Sequence, residues 1–186
     1  TVGKHLKIDL SDIDLVSWRS KLEEDKATLN ELIAMITPIT DEHDLKLERL
    51  LDIIRDKINN PINDGNKKIL VFTAFADTAD YLYGELHDKI KNEFGLTSAV
   101  VTGTRNPAMT IPTSRTVKPD FNTILTLFSP QSKGRDVLFD DNPGEIDILF
   151  GTDCISEGQN LQDCDYLVSF DIHWNPVRII QRFGRV

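Results

Sequence analysis

The sequence predicts an α/β fold in which helices flank a mostly parallel sheet. Four short apolar runs are typical of strands buried on both faces, and they lie at residues 69–73, 99–102, 146–150 and 166–170. Helical patterns alternate with these runs along the chain. Strands that alternate with helices indicate a parallel sheet joined by right-handed crossovers.

Five helices are predicted, two of them before the first strand. The first has apolar residues at three- and four-residue steps over 29–36. The second begins near Thr40 or Asp41, either of which can cap a helix, and stops before Pro61. The remaining three cover residues 77–92, residues 121–128 and a stretch that begins at Pro176.

The chain of 186 residues therefore divides into a helical extension or linker at 1–44 and an α/β domain at 45–186. Its 40% hydrophobic and 27% charged residues are ordinary for a soluble protein with a real core. Residues 1–10 are too polar for a signal peptide, and no apolar run suits a bilayer span. We expect no membrane partner, and a bacterial cytoplasmic or eukaryotic nuclear location.

Cysteine and histidine usage predicts no protein-held metal. Cys154 and Cys164 are ten residues apart, which matches no zinc or redox spacing, and the four histidines form no ligand pair at helical spacing. We expect both cysteines to be reduced core thiols.

Charge is unevenly distributed. The net charge of −9 argues against nucleic acid as a partner, but a strip of five bases against one acid runs from 105 to 135. Within it, Arg115, Lys118 and Lys133 are candidate nucleic-acid contacts in an insertion at 103–144. A solvated loop with no such role explains the strip equally well.

Polar and glycine residues follow each predicted strand, at 73–75, 102–104, 151–153 and 171–175. In open parallel sheets, functional groups gather on the loops that leave the carboxyl ends of the strands. We therefore expect the site at this edge. The fold alone permits many activities, so the residues must decide between them.

The loop after the third strand suits a phosphate or nucleotide. Thr152 offers a hydroxyl at a strand end, Gly158 lets backbone approach a ligand closely, and Asn160 can bind a sugar hydroxyl. Taken alone, a loop of this composition is commonplace.

The last helix carries two arginines on one face. Arg182 and Arg185 are three residues apart and follow Gln181. Two planar guanidiniums suit a bidentate clamp on a polyphosphate. A solvated basic helix end is the other interpretation, because cations are favourable at a helix C-terminus.

Four elements taken in order resemble the second RecA-like motor domain of superfamily 2 helicases, from motif IV to motif VI. They are Ile-Leu-Val-Phe-Thr at 69–73, Gly-Thr-Asp-x-x-Ser-Glu-Gly-x-Asn-Leu at 151–161, Phe-Asp-x-x-Trp-Asn-Pro at 170–176 and Gln-Arg-x-Gly-Arg at 181–185. The Trp-Asn-Pro element is similar to Swi/Snf-type ATPases and their relative, the bacterial RNA-polymerase-associated ATPase. This resemblance implies a RecA-like sheet with P-loop NTPase-like topology over 45–186, truncated inside the last motif.

By the same resemblance, one group of residues acts on ATP. Arg185 would be an arginine finger reaching the γ-phosphate, Gln181 would couple the ATP and nucleic-acid sites, and Arg182 would order the helix or pair with a carboxylate in this catalytic set. Gly158 and Asn160 would face ATP.

A second group would contact nucleic acid. The resemblance assigns Thr152 and Thr73 to the backbone phosphates. Trp174 and Asn175 would brace the turn before the last helix rather than touch a ligand. Phe72 would be core and Phe75 rim.

The resemblance also implies partners outside the sequence. No phosphate cradle of the form Gly-x-x-x-x-Gly-Lys followed by Ser or Thr is present, and no Asp-Glu pair follows a strand. ATP and Mg²⁺ would be bound mainly by a first RecA-like domain, and this chain alone would hydrolyse no ATP. Nucleic acid, with duplex DNA favoured, would be the other partner.

Two alternatives stay open. One is a helicase-derived scaffold that binds nucleic acid or protein without turnover. The other is a nucleotide-sugar transferase with an unrelated Rossmann-like half. This alternative does not explain the Gln-Arg-x-Gly-Arg sequence of the last helix.

Overall fold

The computed structural model describes residues 14–40, 43–139, 142–155, 158–172 and 175–184. The chain divides into two compact units, Thr1–Leu45 and Lys46–Val186. The elements in chain order are α1 Leu15–Ile36, α2 Leu45–Asn59, β1 Ile69–Phe72, α3 Ala76–Phe94, β2 Ser98–Val101, β3 Ala108–Met109, α4 Phe121–Phe128, α5 Pro130–Lys133, α6 Arg135–Leu138, β4 Ile148–Gly151, β5 Leu167–Ser169 and α7 Pro176–Phe183.

The first unit is built on α1, which is longer than the predicted 29–36. Asp14 caps it, since its Oδ1 accepts the backbone N–H of Ser17 at 3.1 Å. Apolar residues at helical spacing also occupy the first half of the helix, but Asp25 interrupts them, and the interruption hid that half. None of the helix's residues is buried.

The second unit contains a five-stranded sheet in the order β3-β2-β4-β1-β5. The pairs β2–β4, β4–β1 and β1–β5 are parallel, which confirms the predicted fold class. The antiparallel edge strand β3 lies within residues 103–118, which were expected to form a loop, and two residues between prolines are too few to show alternation. Parallel pairing brings the carboxyl ends of β2, β4, β1 and β5 to one edge.

Both faces of the sheet are covered. On one face, α2 and α3 pack their apolar sides against Ile69, Val71 and Phe150, which are fully buried. On the other face, α4 packs against Leu70 and Phe72. The continuous apolar runs of the sequence therefore correspond to strands buried on both sides.

The helices of the second unit differ slightly from prediction. The helix α2 begins at Leu45, four or more residues beyond the expected caps Thr40 and Asp41, and Asp41 lies outside the described residues. The predicted helix at 121–128 is confirmed, and Asp120 caps it through the N–H of Thr123 at 3.0 Å.

The cysteines are free thiols in different surroundings. Burial raises the pKa of Cys164 to about 12, which makes it an unreactive core thiol as expected. Cys154 is only half-buried, because it lies in the loop after β4, with its Sγ 3.4 Å from Thr152 Oγ1. None of the described helices combines the length and apolar character needed to cross a membrane.

A buried ion pair joins α2 to the segment before β5. Lys57 Nζ lies 2.7 Å from Asp165 Oδ1, and the Lys57 side chain is fully buried. Asp165 Oδ2 also accepts the backbone and side-chain N–H groups of Asn63. Burial raises the pKa of Asp165, but the contacts with Lys57 and Asn63 outweigh that effect and leave the pKa below its ordinary value.

Lys57→Met is expected to lower the free energy of unfolding by about 3 kcal/mol at neutral pH, because it leaves a mostly buried carboxylate without its cation. Urea denaturation measures this loss. Arg55→Met is the matched control on the same helix: it removes the pair between Arg55 Nη2 and Glu93 Oε1, at 2.8 Å, which lies on the surface. Equal losses in the free energy of unfolding for the two variants would show that burial of the Lys57–Asp165 pair gives it no special importance.

Acidification should reduce the difference in the free energy of unfolding between wild type and Lys57→Met. The lowered pKa of Asp165 contributes stability that is fully present above the unfolded pKa, about 3.9, and is lost as the pH falls through the folded pKa. In the variant, Asp165 lacks the part of its pKa lowering that is due to Lys57. A gap that is unchanged between pH 7 and pH 3 would contradict this origin.

Candidate functional site at the carboxyl edge of the sheet

An open cavity of about 670 Å³ lies at the carboxyl edge of the sheet. Its walls come from the loops after β1, β4 and β5 and from the first turn of α2. The lining residues are Lys46, Ala74, Phe75, Asp153, Phe170, Asp171 and Ile172. Phe75 is 68% exposed whereas Phe72 is fully buried, which confirms their predicted places at the rim and in the core.

A buried arginine connects this edge to α7. The side chain of Arg182 is fully buried, and its Nε donates to Asp153 Oδ1 at 2.7 Å. Its Nη1 donates to Ser169 Oγ at 2.7 Å. The guanidinium carbon also lies 5.1 Å from the centroid of the Phe72 ring. These contacts join α7 to the ends of β4, β5 and β1.

The loop that presents Asp153 depends on a close approach. It leaves β4 at Gly151 and forms a 3-10 turn over Asp153–Ile155. A Cβ at Gly151 would lie 2.5 Å from Ile155 Cδ1 and 3.3 Å from the carbonyl oxygen of Val101. Glycine at this position leaves room for the Ile155 side chain to pack against the strand end, within the same turn that carries Asp153 to Arg182.

Asp171 is the second anchor. Its Oδ2 accepts the backbone N–H of Ala74 at 3.1 Å, and its Oδ1 lies 3.0 Å from Lys46 Nζ. Its backbone oxygen accepts hydrogen bonds from Ser169 Oγ at 3.0 Å and from Arg182 Nη1 at 3.2 Å. One residue thus ties the exits of β1 and β5 to α2 and α7.

The start of α7 follows the predicted pattern. Pro176 occupies the first turn, and Asn175 caps the helix by accepting the Val177 N–H at 3.0 Å. This cap confirms that Asn175 braces the turn. Gln181 is half-buried, and its Oε1 is buried without a hydrogen-bond partner among the described residues.

The two threonines occupy different positions. Thr73 is fully buried and its hydroxyl donates to the carbonyl oxygen of Phe75 at 2.9 Å, so a direct contact from this side chain to nucleic acid does not fit the structure. Thr152 is half-buried, and its hydroxyl faces the Cys154 sulfur.

The expected nucleotide-facing residues are exposed. Gly158 has φ +68°, a conformation that favours glycine, and nothing described lies within 4 Å of a Cβ placed there. Asn160 is exposed, and its Oδ1 accepts the backbone N–H of Gln162 at 3.3 Å. Arg185 and Trp174 lie outside the described residues.

The basic strip divides into paired and exposed members. Arg105 pairs with Asp77 and with Asp80, and Arg135 pairs with Glu145 at 3.1 Å. Arg115 and Lys118 are exposed.

Lys133 is the intermediate member of the strip. It is half-buried, and its Nζ donates to Gln159 Oε1 at 2.7 Å. Burial lowers its pKa. Of the three predicted contacts, Arg115 and Lys118 are therefore the accessible ones. No group of three or more metal-ligating side chains occurs in the part of the chain that the structure describes.

Sequence reasoning missed Asp153, Asp171 and Lys46 as members of the site. The signal for the two aspartates was present, since each lies just after a strand that ends at the site edge. An arginine expected to pair with a carboxylate should have pointed to them. Lys46 carried no such signal, because it is an ordinary polar position of an amphipathic helix.

Arg182→Met is expected to destabilise the protein by about 3 kcal/mol, because it leaves Asp153 and Asp171 without their shared donor. Arg182→Lys should recover only part of this, since one ammonium cannot replace the fork. Urea denaturation compares both with Arg135→Met, which removes an arginine paired with exposed acids. Equal losses in the Arg182 and Arg135 variants would refute the anchoring role.

The family of helicase conserved C-terminal domains matches residues 45–186. An uncharacterized ATP-dependent helicase of Bacillus subtilis, YqhH, is 44% identical over 43 residues, which are 23% of this chain and 8% of the relative. A putative ATP-dependent DNA helicase of Schizosaccharomyces pombe, fml2, is 23% identical over 142 residues, which are 75% of this chain and 16% of the relative. The chain thus spans less than a fifth of either relative.

Two solved structures show weak similarity. The helicase domain of Pyrococcus furiosus Hef has a TM-score of 0.42 at 24% identity, over 76% of this chain and 23% of that one. The C-terminal part of the Fun30 ATPase domain has a TM-score of 0.44 at 16% identity, over 89% and 48%. Nothing further follows from similarity at this level. The match over 45–186, with the site in the expected order of loops, places the chain in the family of helicase conserved C-terminal domains.

Proposed function

We propose that residues 45–186 are the second motor domain of an ATP-dependent helicase or translocase. ATP and Mg²⁺ would be held mainly by a first RecA-like domain of the same protein, and the carboxyl edge of this sheet would close onto them. The observation that carries the proposal is the buried Arg182–Asp153 pair at 2.7 Å, which fixes α7 beside the strand exits. A helix fixed in this way can present a reacting group reproducibly.

Within this proposal, α7 supplies the residues that act on ATP. Arg185 is the arginine finger, and Gln181, with a buried Oε1 that has no hydrogen-bond partner in the described chain, couples ATP to nucleic acid. Arg182 serves as a positioning residue, because its Nε and Nη1 donate to protein oxygens, while its Nη2 is buried without a hydrogen-bond partner among the described residues. Gly158 and Asn160 contribute backbone and amide groups near the nucleotide.

The nucleic-acid side of the proposal rests on exposed groups. Arg115 and Lys118 approach the phosphate backbone of the nucleic acid. The loop that carries Thr152 contacts the same backbone. Duplex DNA is the favoured substrate, in keeping with the Swi/Snf-type resemblance of Trp174 and Asn175, and the name of the fml2 relative specifies DNA.

A scaffold without turnover is the second candidate. The observation in its favour is the net charge of −9, together with the pairing of Arg105 and Arg135 by acids, which leaves few bases for nucleic acid and favours protein as the partner of such a scaffold. It predicts nucleic-acid or protein binding that does not depend on ATP.

The full-length protein should hydrolyse ATP faster with duplex DNA than with single strands or RNA, and Arg185→Ala should lower kcat by about 10³-fold or more. The reason is the loss of the charge that stabilises the transferring phosphoryl group. Steady-state ATPase assays measure both effects. Arg55→Ala, an exposed arginine on α2, is the matched control and should retain activity.

Unchanged turnover in Arg185→Ala would remove the finger assignment. An inactive wild type that still binds DNA would favour the scaffold. Measurable nucleic-acid-stimulated turnover by the 186-residue chain alone would overturn the two-domain proposal.

Neutralising the two exposed bases should weaken DNA binding and flatten its salt dependence. In the double variant Arg115→Gln and Lys118→Gln, the slope of log K against log salt should fall in magnitude by about two, since each phosphate contact contributes about 0.9. Fluorescence anisotropy with a duplex at several salt concentrations measures the slope.

The matched control is the double variant Arg105→Gln and Arg135→Gln, which removes the same charge from bases already paired with acids. It should leave the slope nearly unchanged. Equal slopes in the two double variants would show that the basic strip has no phosphate contacts of its own.

A further inference from the structure

Lys46, in the first turn of α2, contacts a residue far along the chain. Its Nζ lies 3.0 Å from Asp171 Oδ1 and 3.9 Å from the centroid of the Phe170 ring. Carboxylate and ring face thus hold one ammonium from two sides. The Lys46 side chain is 55% exposed, so the apolar packing of α2 does not require it there.

Asp171 also binds groups from two other elements of the site. The carboxylate that receives Lys46 also accepts the Ala74 N–H at 3.1 Å. The backbone oxygen of the same residue accepts Arg182 Nη1 at 3.2 Å. A rotation of Asp171 would therefore disturb the exit of β1 and the anchor of α7 together.

We propose that Lys46 is a positioning residue, which holds Asp171 in the orientation that α7 requires and so sets the catalytic rate. The inference rests on the proposed function, since α7 must present Gln181 and Arg185 to ATP. Lys46 is the first residue of the second unit, which begins where the preceding unit ends. The contact gives the start of the motor domain a direct connection to its catalytic helix.

The energetic expectation separates positioning from stability. A partly exposed pair contributes little to global stability because water screens it. It biases a local equilibrium by about two- to fivefold, the range that such pairs show. The free energy of global unfolding should then barely change when Lys46 is replaced. The fraction of molecules in which the hydrogen bond of the Ala74 amide is open should increase.

The first test uses the 186-residue chain and needs no activity. Hydrogen exchange of the Ala74 amide, followed by NMR, should become about two- to fivefold faster in Lys46→Met. Arg55→Met, which removes another exposed ion pair of α2, should leave it unchanged. Lys46→Arg should restore slow exchange, because a guanidinium can hold the carboxylate and stack on the ring. Unchanged exchange in Lys46→Met, or equal exchange in the two methionine variants, would overturn the inference.

The second test uses the full-length protein with ATP and duplex DNA. Lys46→Met should lower kcat by about two- to fivefold, the bias that such a pair provides, with KM for ATP unchanged, because misplacement affects the transition state more than ground-state binding. Arg55→Met should match wild type, and Lys46→Arg should recover most of the loss. Thermal denaturation should give nearly the same Tm for all four proteins.

The outcomes separate the inference from the proposed function. If wild type hydrolyses ATP but the two methionine variants have equal kcat, the inference fails and the motor assignment stands. If wild type hydrolyses no ATP in the presence of any nucleic acid, the motor assignment fails. In that case Lys46 can have no effect on a catalytic rate.

Discussion

The structure of the site depends on the burial of one guanidinium. Moving a charge from water into a protein interior costs several kcal/mol, so Arg182 can be buried only where fixed acceptors surround it. Asp153, Ser169 and Asp171 provide them, from the ends of β4 and β5. The Phe72 ring also lies against the guanidinium, whose Nη2 has no hydrogen-bond partner among the described residues. Because each acceptor must be in place, the charge fixes three strand ends and α7 relative to one another.

The sheet makes this convergence possible. Apolar side chains cover both faces, so polar groups can gather only at the edges. The amino edge holds a second buried cation, Lys57, paired with Asp165 just before β5. That pair joins α2 to the sheet. The pair at the carboxyl edge borders an open cavity, which is where the loops of a parallel sheet place function.

Much of the fold could be predicted because local patterns encode it. Apolar runs located four strands, and Pro176 located the start of α7. The site was only partly predictable, because its contacts join residues distant in sequence: Arg182 meets Asp153 across 29 positions and Lys46 meets Asp171 across 125. The surroundings of the Thr73 hydroxyl could not be predicted for a related reason. A threonine at a strand end looks available in sequence, but here the hydroxyl bonds the next turn of its own loop.

The cost of burying Arg182 bears on the choice between motor and scaffold. Apolar replacements for a buried ion pair are often neutral or stabilising, so such a pair is a poor device for stability alone. Its particular property is geometry, since a fork of donors accepts few arrangements of acceptors. A binding scaffold tolerates small shifts of a helix, whereas transfer of a phosphoryl group loses rate with a displacement of about 1 Å. Burial of Arg182 near the end of α7 therefore supports the proposed motor over the scaffold.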